Sequence, residues 1–136
     1  MRDLKLYLII TPIMLVIDLV WIGFVMKNFY SEQLGDLARR SGGGLAPRWI
    51  PAILVYILIP AGLVLFVQPR LGSGPLWADF LWGALFGLVL YGVYDLTNLA
   101  TLEQWKLPMS IVDMLWGSFL CGVMSIVMTL MKSRIA

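Results

Sequence analysis

Three aspartates lie inside apolar segments of this sequence and carry its clearest chemistry. Asp18, Asp95 and Asp113 each stand in a run of the length that crosses a bilayer. A carboxylate in the middle of a membrane helix costs about 2.5–3.5 kcal/mol on insertion scales, so these residues must face protein or water and have partners. The sequence has no histidine, and its one cysteine, Cys121, also lies in an apolar run. Histidine-based metal sites, histidine general bases and an intrachain disulfide are therefore excluded.

A stripe of small and polar residues leads along the third apolar segment to Asp95. Its members recur at spacings of three and four, which places them on one face of a helix. Small residues on such a face let a neighbouring helix approach closely, so we expect this to be the packing face. Tyr94 directly precedes the carboxylate and adds a hydroxyl. The stripe consists of Gly83, Gly87, Tyr91, Asp95 and Asn98.

The other two aspartates each precede a tryptophan by three residues. Asp18 is followed by Trp21 and Asp113 by Trp116, and this spacing puts both side chains on one helix face. The indole N–H can donate to a carboxylate on a neighbouring helix, or the ring can anchor its helix at the membrane interface. The candidate ligand-binding residues are Asp18, Trp21, Tyr91, Tyr94, Asp95, Asn98, Asp113 and Trp116.

The negative charge of the three aspartates requires compensation, because no Lys or Arg stands beside them within a span. One or more can be protonated and hydrogen-bonded to the tyrosine, asparagine and tryptophan side chains of the candidate set. A divalent cation can bind their oxygen atoms, although no spacing requires a metal. Alternatively, Lys27 or Arg48 reaches in from the membrane boundary. The sequence indicates no particular cofactor.

Composition assigns these residues to a membrane protein. The chain has 136 residues, of which 60% are hydrophobic and 13% charged, far from the mixture in soluble domains. The net charge of +2 comes from Lys and Arg that flank apolar runs, which does not indicate a nucleic-acid partner. We predict one all-α transmembrane domain over residues 1–136, with spans at about 4–26, 50–67, 76–99 and 110–131. Short links predict an up-down four-helix bundle, and residues 29–37 predict a short interfacial helix after the first span.

Three segments together resemble a bacterial family of small membrane proteins of unknown function. They are Ile17-Asp-Leu-Val-Trp21, Tyr91-Gly-Val-Tyr-Asp-Leu-Thr-Asn-Leu-Ala-Thr101 with Trp105 after it, and Val112-Asp-Met-Leu-Trp-Gly117. The resemblance covers nearly the whole chain. It implies a multi-pass protein of the bacterial inner (cytoplasmic) membrane, and it implies no particular activity.

Three functions are compatible with these features. The first is binding or transport of a small solute, a lipid head group or a proton in the polar cluster. The second is a membrane-embedded enzyme that modifies lipid, with Asp95 or Asp113 as general acid or base. The third is an accessory subunit of a larger membrane complex, in which the acids are structural. Membrane lipid is the expected partner in each case, and self-association into a homo-oligomer is expected because four helices leave little room for a pathway between them.

Overall fold

The structure is a computed structural model that describes residues 1–135. Four of its helical segments are long and apolar enough to cross a membrane, namely Arg2–Val25, Trp49–Arg70, Leu76–Thr101 and Leu107–Lys132. A short helix follows the first of them. The predicted four-helix transmembrane architecture with an interfacial helix is therefore confirmed. The five helices are α1 (Arg2–Val20), α2 (Lys27–Leu34), α3 (Trp49–Gly62), α4 (Leu76–Thr101) and α5 (Leu107–Lys132).

Two of the spans end in a wider helical turn that the sequence does not predict. After α1 the chain continues as a π-helix over Trp21–Val25, and after α3 as a π-helix over Leu63–Val67 followed by a 3-10 turn at Gln68–Arg70. A π-turn adds a residue to the helical repeat and rotates the side chains that follow it. The first π-turn begins at Trp21 and therefore rotates the residues that follow it.

The fourth span begins three residues earlier than predicted, at Leu107 instead of residue 110. Pro108 suggests a helix boundary because proline lacks an N–H group. However, the N–H groups of the first turn have no partner within a helix, so proline fits there without loss.

Helix α5 is the central element of the bundle. Helix α4 packs along its length, α1 contacts it from another side, and α3 packs chiefly on α1. We call the side with α2 and residues 102–106 the loop side, and the side with both chain ends the terminal side. The apolar core occupies the terminal half, where the first part of α1 meets the second half of α5. Its fully buried members include Leu6, Ile10, Leu63, Leu120 and Met124.

Helices α4 and α5 are in direct backbone contact through glycine. A Cβ atom at Gly83 would overlap the carbonyl oxygen of Cys121, and one at Gly87 would overlap that of Gly117. The ring of Tyr91 covers Gly117 from the α4 side. The predicted packing face of the third span is confirmed by these contacts. It brings the loop-side ends of α4 and α5 close together.

The connection between the first two spans is ordered on the loop side. Arg40 donates to the hydroxyl and carbonyl oxygens of Ser31 and to the carbonyl oxygen of Gly35, which satisfies the end of α2. A two-stranded hairpin, Arg40–Ser41 with Gly44–Leu45, follows. Gly42 and Gly43 form its turn with φ of 56° and 80°, which glycine adopts without strain.

A buried carboxylate closes the terminal side. Asp79 is 2% exposed and accepts hydrogen bonds from the backbone N–H of Gly72 and the hydroxyl of Thr129. It ties the turn before α4 to the end of α5. Nearby, the Arg70 guanidinium lies 5.1 Å from the centre of the Trp82 ring. This carboxylate has donors of its own and lies at the opposite end from the other three.

Candidate functional site

Asp18 joins three of the four spans on the loop side. Its Oδ2 accepts a hydrogen bond from the Tyr56 hydroxyl of α3 at 2.6 Å, and its Oδ1 accepts one from Trp116 Nε1 of α5 at 2.7 Å. Both carboxylate oxygens of Asp18 therefore have a donor from another span. Of the two roles considered for Trp116, donation to a carboxylate on another helix is the one observed.

Two tryptophans connect Asp18 with the other half of the cluster. The rings of Trp21 and Trp116 stack with centroids 4.1 Å apart and planes inclined by 3°. Trp116 donates to Asp18, whereas Trp21 Nε1 donates to the hydroxyl of Tyr30 at 3.2 Å. The π-turn that starts at Trp21 allows its ring to face α5, and such turns occur often at functional sites.

Tyr30 brings the interfacial helix α2 into the cluster. Its hydroxyl donates to Asp113 Oδ1 at 2.7 Å, and its side chain is buried. Burial, and next the Asp113 carboxylate, raises the pKa of Tyr30 above its ordinary value. Tyr30 therefore stays neutral and acts as a hydrogen-bond donor to Asp113. This contact places α2 over the loop-side end of the bundle.

Asp95 is the least satisfied polar group of the cluster. Its side chain is 0% exposed, and no group of residues 1–135 donates a hydrogen bond to either carboxylate oxygen. The carboxyl group of Asp113 is close enough for the two groups to influence each other. Two carboxyl groups bond to each other only when one of them carries a proton. Asp95, which is fully buried, and Asp113, which is half-buried, are thus two neighbouring carboxyl groups, and we call them the acid pair.

The three remaining predicted residues lie on α4 in different environments. Tyr91 packs on Gly117 beside the acid pair. Tyr94 is 58% exposed and meets the Trp105 ring edge-on, with centroids 5.8 Å apart. Asn98 is half-buried one turn beyond the acid pair. Tyr91 therefore belongs to the packed interior, whereas Tyr94 and Asn98 lie toward the loop-side margin.

Two hydroxyl donors of the cluster are missing from the sequence-based set. Tyr30 and Tyr56 each donate to one of the aspartates, from α2 and α3 respectively. Tyr56 is the polar residue in the otherwise apolar first half of its span, which is the signal that could have identified it. Tyr30 has no such signal because aromatic residues are common in interfacial helices.

The two other modes of charge compensation for the aspartates are a metal ion and a cation from the membrane boundary. No three His, Cys, Asp or Glu side chains of residues 1–135 converge to hold a metal ion. Within the same residues the one ion pair joins Arg2 and Asp3, so Lys27 and Arg48 do not reach the cluster. Asp18 and Asp113 instead accept hydrogen bonds from hydroxyl and indole groups.

Fold and site together define a multi-pass membrane protein with a cluster of buried carboxyl groups in one half of its helix bundle. The chain belongs to the family described as Predicted membrane protein (DUF2177), whose model matches residues 3–130. It is a family of unknown function, as the resemblance implied. No curated protein and no solved structure matches the chain.

Proposed function

We propose that this protein binds and releases a proton at the acid pair, Asp95 and Asp113, as the working step of a transport function in the membrane. The observation that carries the proposal is the fully buried Asp95 carboxyl, which has no donor in residues 1–135 and lies beside a second carboxyl. A buried ionised carboxylate without donors costs several kcal/mol. A shared proton removes one of the two charges and supplies the hydrogen bond that Asp95 lacks.

The size of the site favours a proton over a solute or a lipid head group. Asp95 has no exposed surface, so a molecule with several atoms has no contact with its oxygens. A proton needs only a hydrogen-bonded neighbour or a passing water molecule. Ionisable residues inside membrane spans commonly serve as proton relays, which agrees with this reading.

The surrounding donors give the two members of the pair unequal environments. Asp113 accepts a hydrogen bond from Tyr30, whose neutral hydroxyl stabilises a negative charge there. Asp95 accepts none from the described residues. The ionised form is therefore favoured on Asp113, and the proton is favoured on Asp95. This asymmetry gives the proton a defined position from which it can leave.

Infrared spectroscopy of the full-length protein in lipid nanodiscs tests the proposal. A protonated carboxyl group gives a C=O stretching band that shifts in D2O, and the wild-type protein should show it. Asp95→Asn should abolish the band. The new amide can donate to Asp113, which also accepts from Tyr30, so Asp113 has two donors and needs no proton of its own. Absence of any protonated-carboxyl band in the wild-type protein would contradict the proposal.

Asp79→Asn is the matched control. Asp79 is as buried as Asp95, but it accepts hydrogen bonds from Gly72 and Thr129. Its ionised form is satisfied, so replacing it should leave the band unchanged. If the band disappears in Asp79→Asn and persists in Asp95→Asn, the proton is on Asp79 at the terminal side of the bundle. That result would refute the proposal.

The proposal extends to location and assembly. The family resemblance supports the inner membrane of a bacterium as the location. A proton path across the whole membrane also needs polar groups in the terminal half, where an apolar core separates the acid pair from Asp79. We therefore propose that transport involves a second copy of the chain or a larger membrane complex, which native mass spectrometry from lipid nanodiscs would detect.

A further inference from the structure

A cleft of about 360 Å³ opens on the loop side of the bundle. One wall is the end of α2 with the 3-10 turn after it, and the other is the link between α4 and α5. Lys106 Nζ donates to the carbonyl oxygen of Glu32 at 3.2 Å and joins the two walls. The cleft is lined by Gln33, Leu34, Gly35, Asp36, Glu103, Gln104, Trp105 and Lys106.

The link-side wall of the cleft leads to Asp95. Trp105 Nε1 donates to the hydroxyl of Ser110 at 2.9 Å, and that hydroxyl lies 3.5 Å from the carbonyl oxygen of Asp95. Ser110 is buried, and the Trp105 ring packs edge-on against Tyr94. The indole therefore stands between the water in the cleft and the end of α4 that carries Asp95.

The α2-side wall leads to the other member of the pair. Gln33 lies one helical turn after Tyr30, which donates to Asp113. The side-chain oxygen of Gln33 is buried and accepts no hydrogen bond from residues 1–135. The link-side wall is thus connected to the backbone of Asp95 through Ser110, and the α2-side wall belongs to the helix whose Tyr30 donates to Asp113.

The cleft carries exposed carboxylates. Asp36 and Glu103 line it, and neither forms an ion pair with the Lys and Arg side chains of residues 1–135. The cation of the lining, Lys106, is engaged with a carbonyl oxygen. A cleft with an excess of negative side chains attracts cations and raises their local concentration, and protons respond in the same way.

We infer that this cleft is the entry through which protons pass between water and the acid pair, and that Trp105 closes it. The inference rests on the proposed function of the pair. The indole N–H does not ionise in water, so Trp105 is a barrier and not a relay. The Ser110 hydroxyl accepts the hydrogen bond of the indole and so holds the ring in the closed position. When the ring moves aside, water from the cleft reaches the acid pair. Asp36 and Glu103 collect protons at the mouth.

Hydrogen–deuterium exchange of the protonated carboxyl group, followed by infrared spectroscopy after rapid dilution of nanodiscs into D2O, tests the inference. Trp105→Ala and Ser110→Ala should each accelerate exchange about tenfold, the change expected when one hydrogen bond that holds a closed state is lost. The double variant Asp36→Asn with Glu103→Gln should slow exchange several-fold. Trp105→Phe keeps an aromatic ring but loses the N–H, so it shows whether the hydrogen bond or the ring itself forms the barrier.

Two control variants lie on the terminal side. Trp77 is 67% exposed at the start of α4, and Asp3 is an exposed acid at the start of α1. Trp77→Ala and Asp3→Asn should leave the exchange rate unchanged. If the wild-type protein shows the carboxyl band, and the Trp105 and Ser110 variants exchange at the wild-type rate, the cleft is not the entry for protons. The proposed proton site at the acid pair would still stand. If the wild-type protein has no such band, the proposed function itself is wrong.

Discussion

The hydroxyl of Tyr30 donates to Asp113 at 2.7 Å, although 83 residues separate them in the chain. Tyr30 belongs to the interfacial helix α2, and Asp113 lies in the first turns of α5. One hydrogen bond therefore holds a surface element against an acid that lies inside a span. Whatever changes the charge of Asp113 also changes the strength of this bond, because ionised acceptors bind donors more strongly than neutral ones.

Tyr30→Phe should loosen α2. The substitution removes the donor to Asp113 and the acceptor for Trp21, while it keeps the ring. A lost hydrogen bond to a charged group lowers local stability by about 1.5–3 kcal/mol. Backbone amides of residues 27–34 should exchange at least about tenfold faster. Tyr7→Phe is the control, since the Tyr7 hydroxyl makes an exposed hydrogen bond of 3.3 Å to Ile57. Unchanged exchange of α2 in Tyr30→Phe would refute this account of its docking.

The burial of Tyr30 also predicts that the folded protein loses stability in alkali. Burial, and next the Asp113 carboxylate, raises the pKa of Tyr30 in the folded protein above its value of about 10 in the unfolded chain. Folded Tyr30 keeps its proton where unfolded Tyr30 loses it, so its contribution is complete below pH of about 10 and declines above it. Between about pH 8 and about pH 11 the unfolding temperature of wild-type protein should fall more than that of Tyr30→Phe. An equal fall in the unfolding temperature of the two proteins would show that folding does not raise the pKa of Tyr30.

Gly83→Ala and Gly87→Ala should force α4 and α5 apart. Each added Cβ would overlap backbone carbonyl groups of α5, which have no free space to move. Overpacking of this kind costs about 1–3 kcal/mol and should lower the unfolding temperature in detergent. Gly23→Ala is the matched control, because a Cβ there meets no atom within 4 Å. Full stability of both α4 variants would mean that the helices are packed less closely than the structure has them.

Asp18→Ala should destabilise the bundle. It leaves the Tyr56 hydroxyl and the Trp116 indole without an acceptor, at a cost of about 2–4 kcal/mol. In a double-mutant cycle, Tyr56→Phe should cost less in the Asp18→Ala background than in wild-type protein, because its partner is already gone. Unfolding in mixed micelles measures both, with Asp3→Ala as the control. Additive effects would show that Asp18 and Tyr56 do not interact.

The overall architecture and one helix interface could be predicted from the sequence. Long apolar runs define the spans, because residues in lipid must be apolar over its whole thickness. The glycine spacing of α4 predicts its packing face, and the contacts of Gly83 and Gly87 confirm it. The hairpin was not predicted, because the glycine run at 42–44 indicated only a flexible connection.

The division of the aspartates into two sets could not be predicted. Spacing places Asp18, Asp95 and Asp113 on the same side of the membrane, but it does not determine which neighbour each one faces. That depends on how the helices rotate against each other, which contacts distant in sequence determine. Tyr30 and Tyr56 were missed because a hydroxyl donor acquires its role only through contacts distant in sequence.

The stacked indoles of Trp21 and Trp116 provide an intrinsic optical label. Aromatic transitions that lie 4.1 Å apart in parallel rings couple electronically, so the pair should contribute to circular dichroism in the near ultraviolet. The signal depends on the relative position of α1 and α5, and replacing either tryptophan by phenylalanine would remove it. Movement of these helices can therefore be followed in unmodified protein, in real time and without an attached dye.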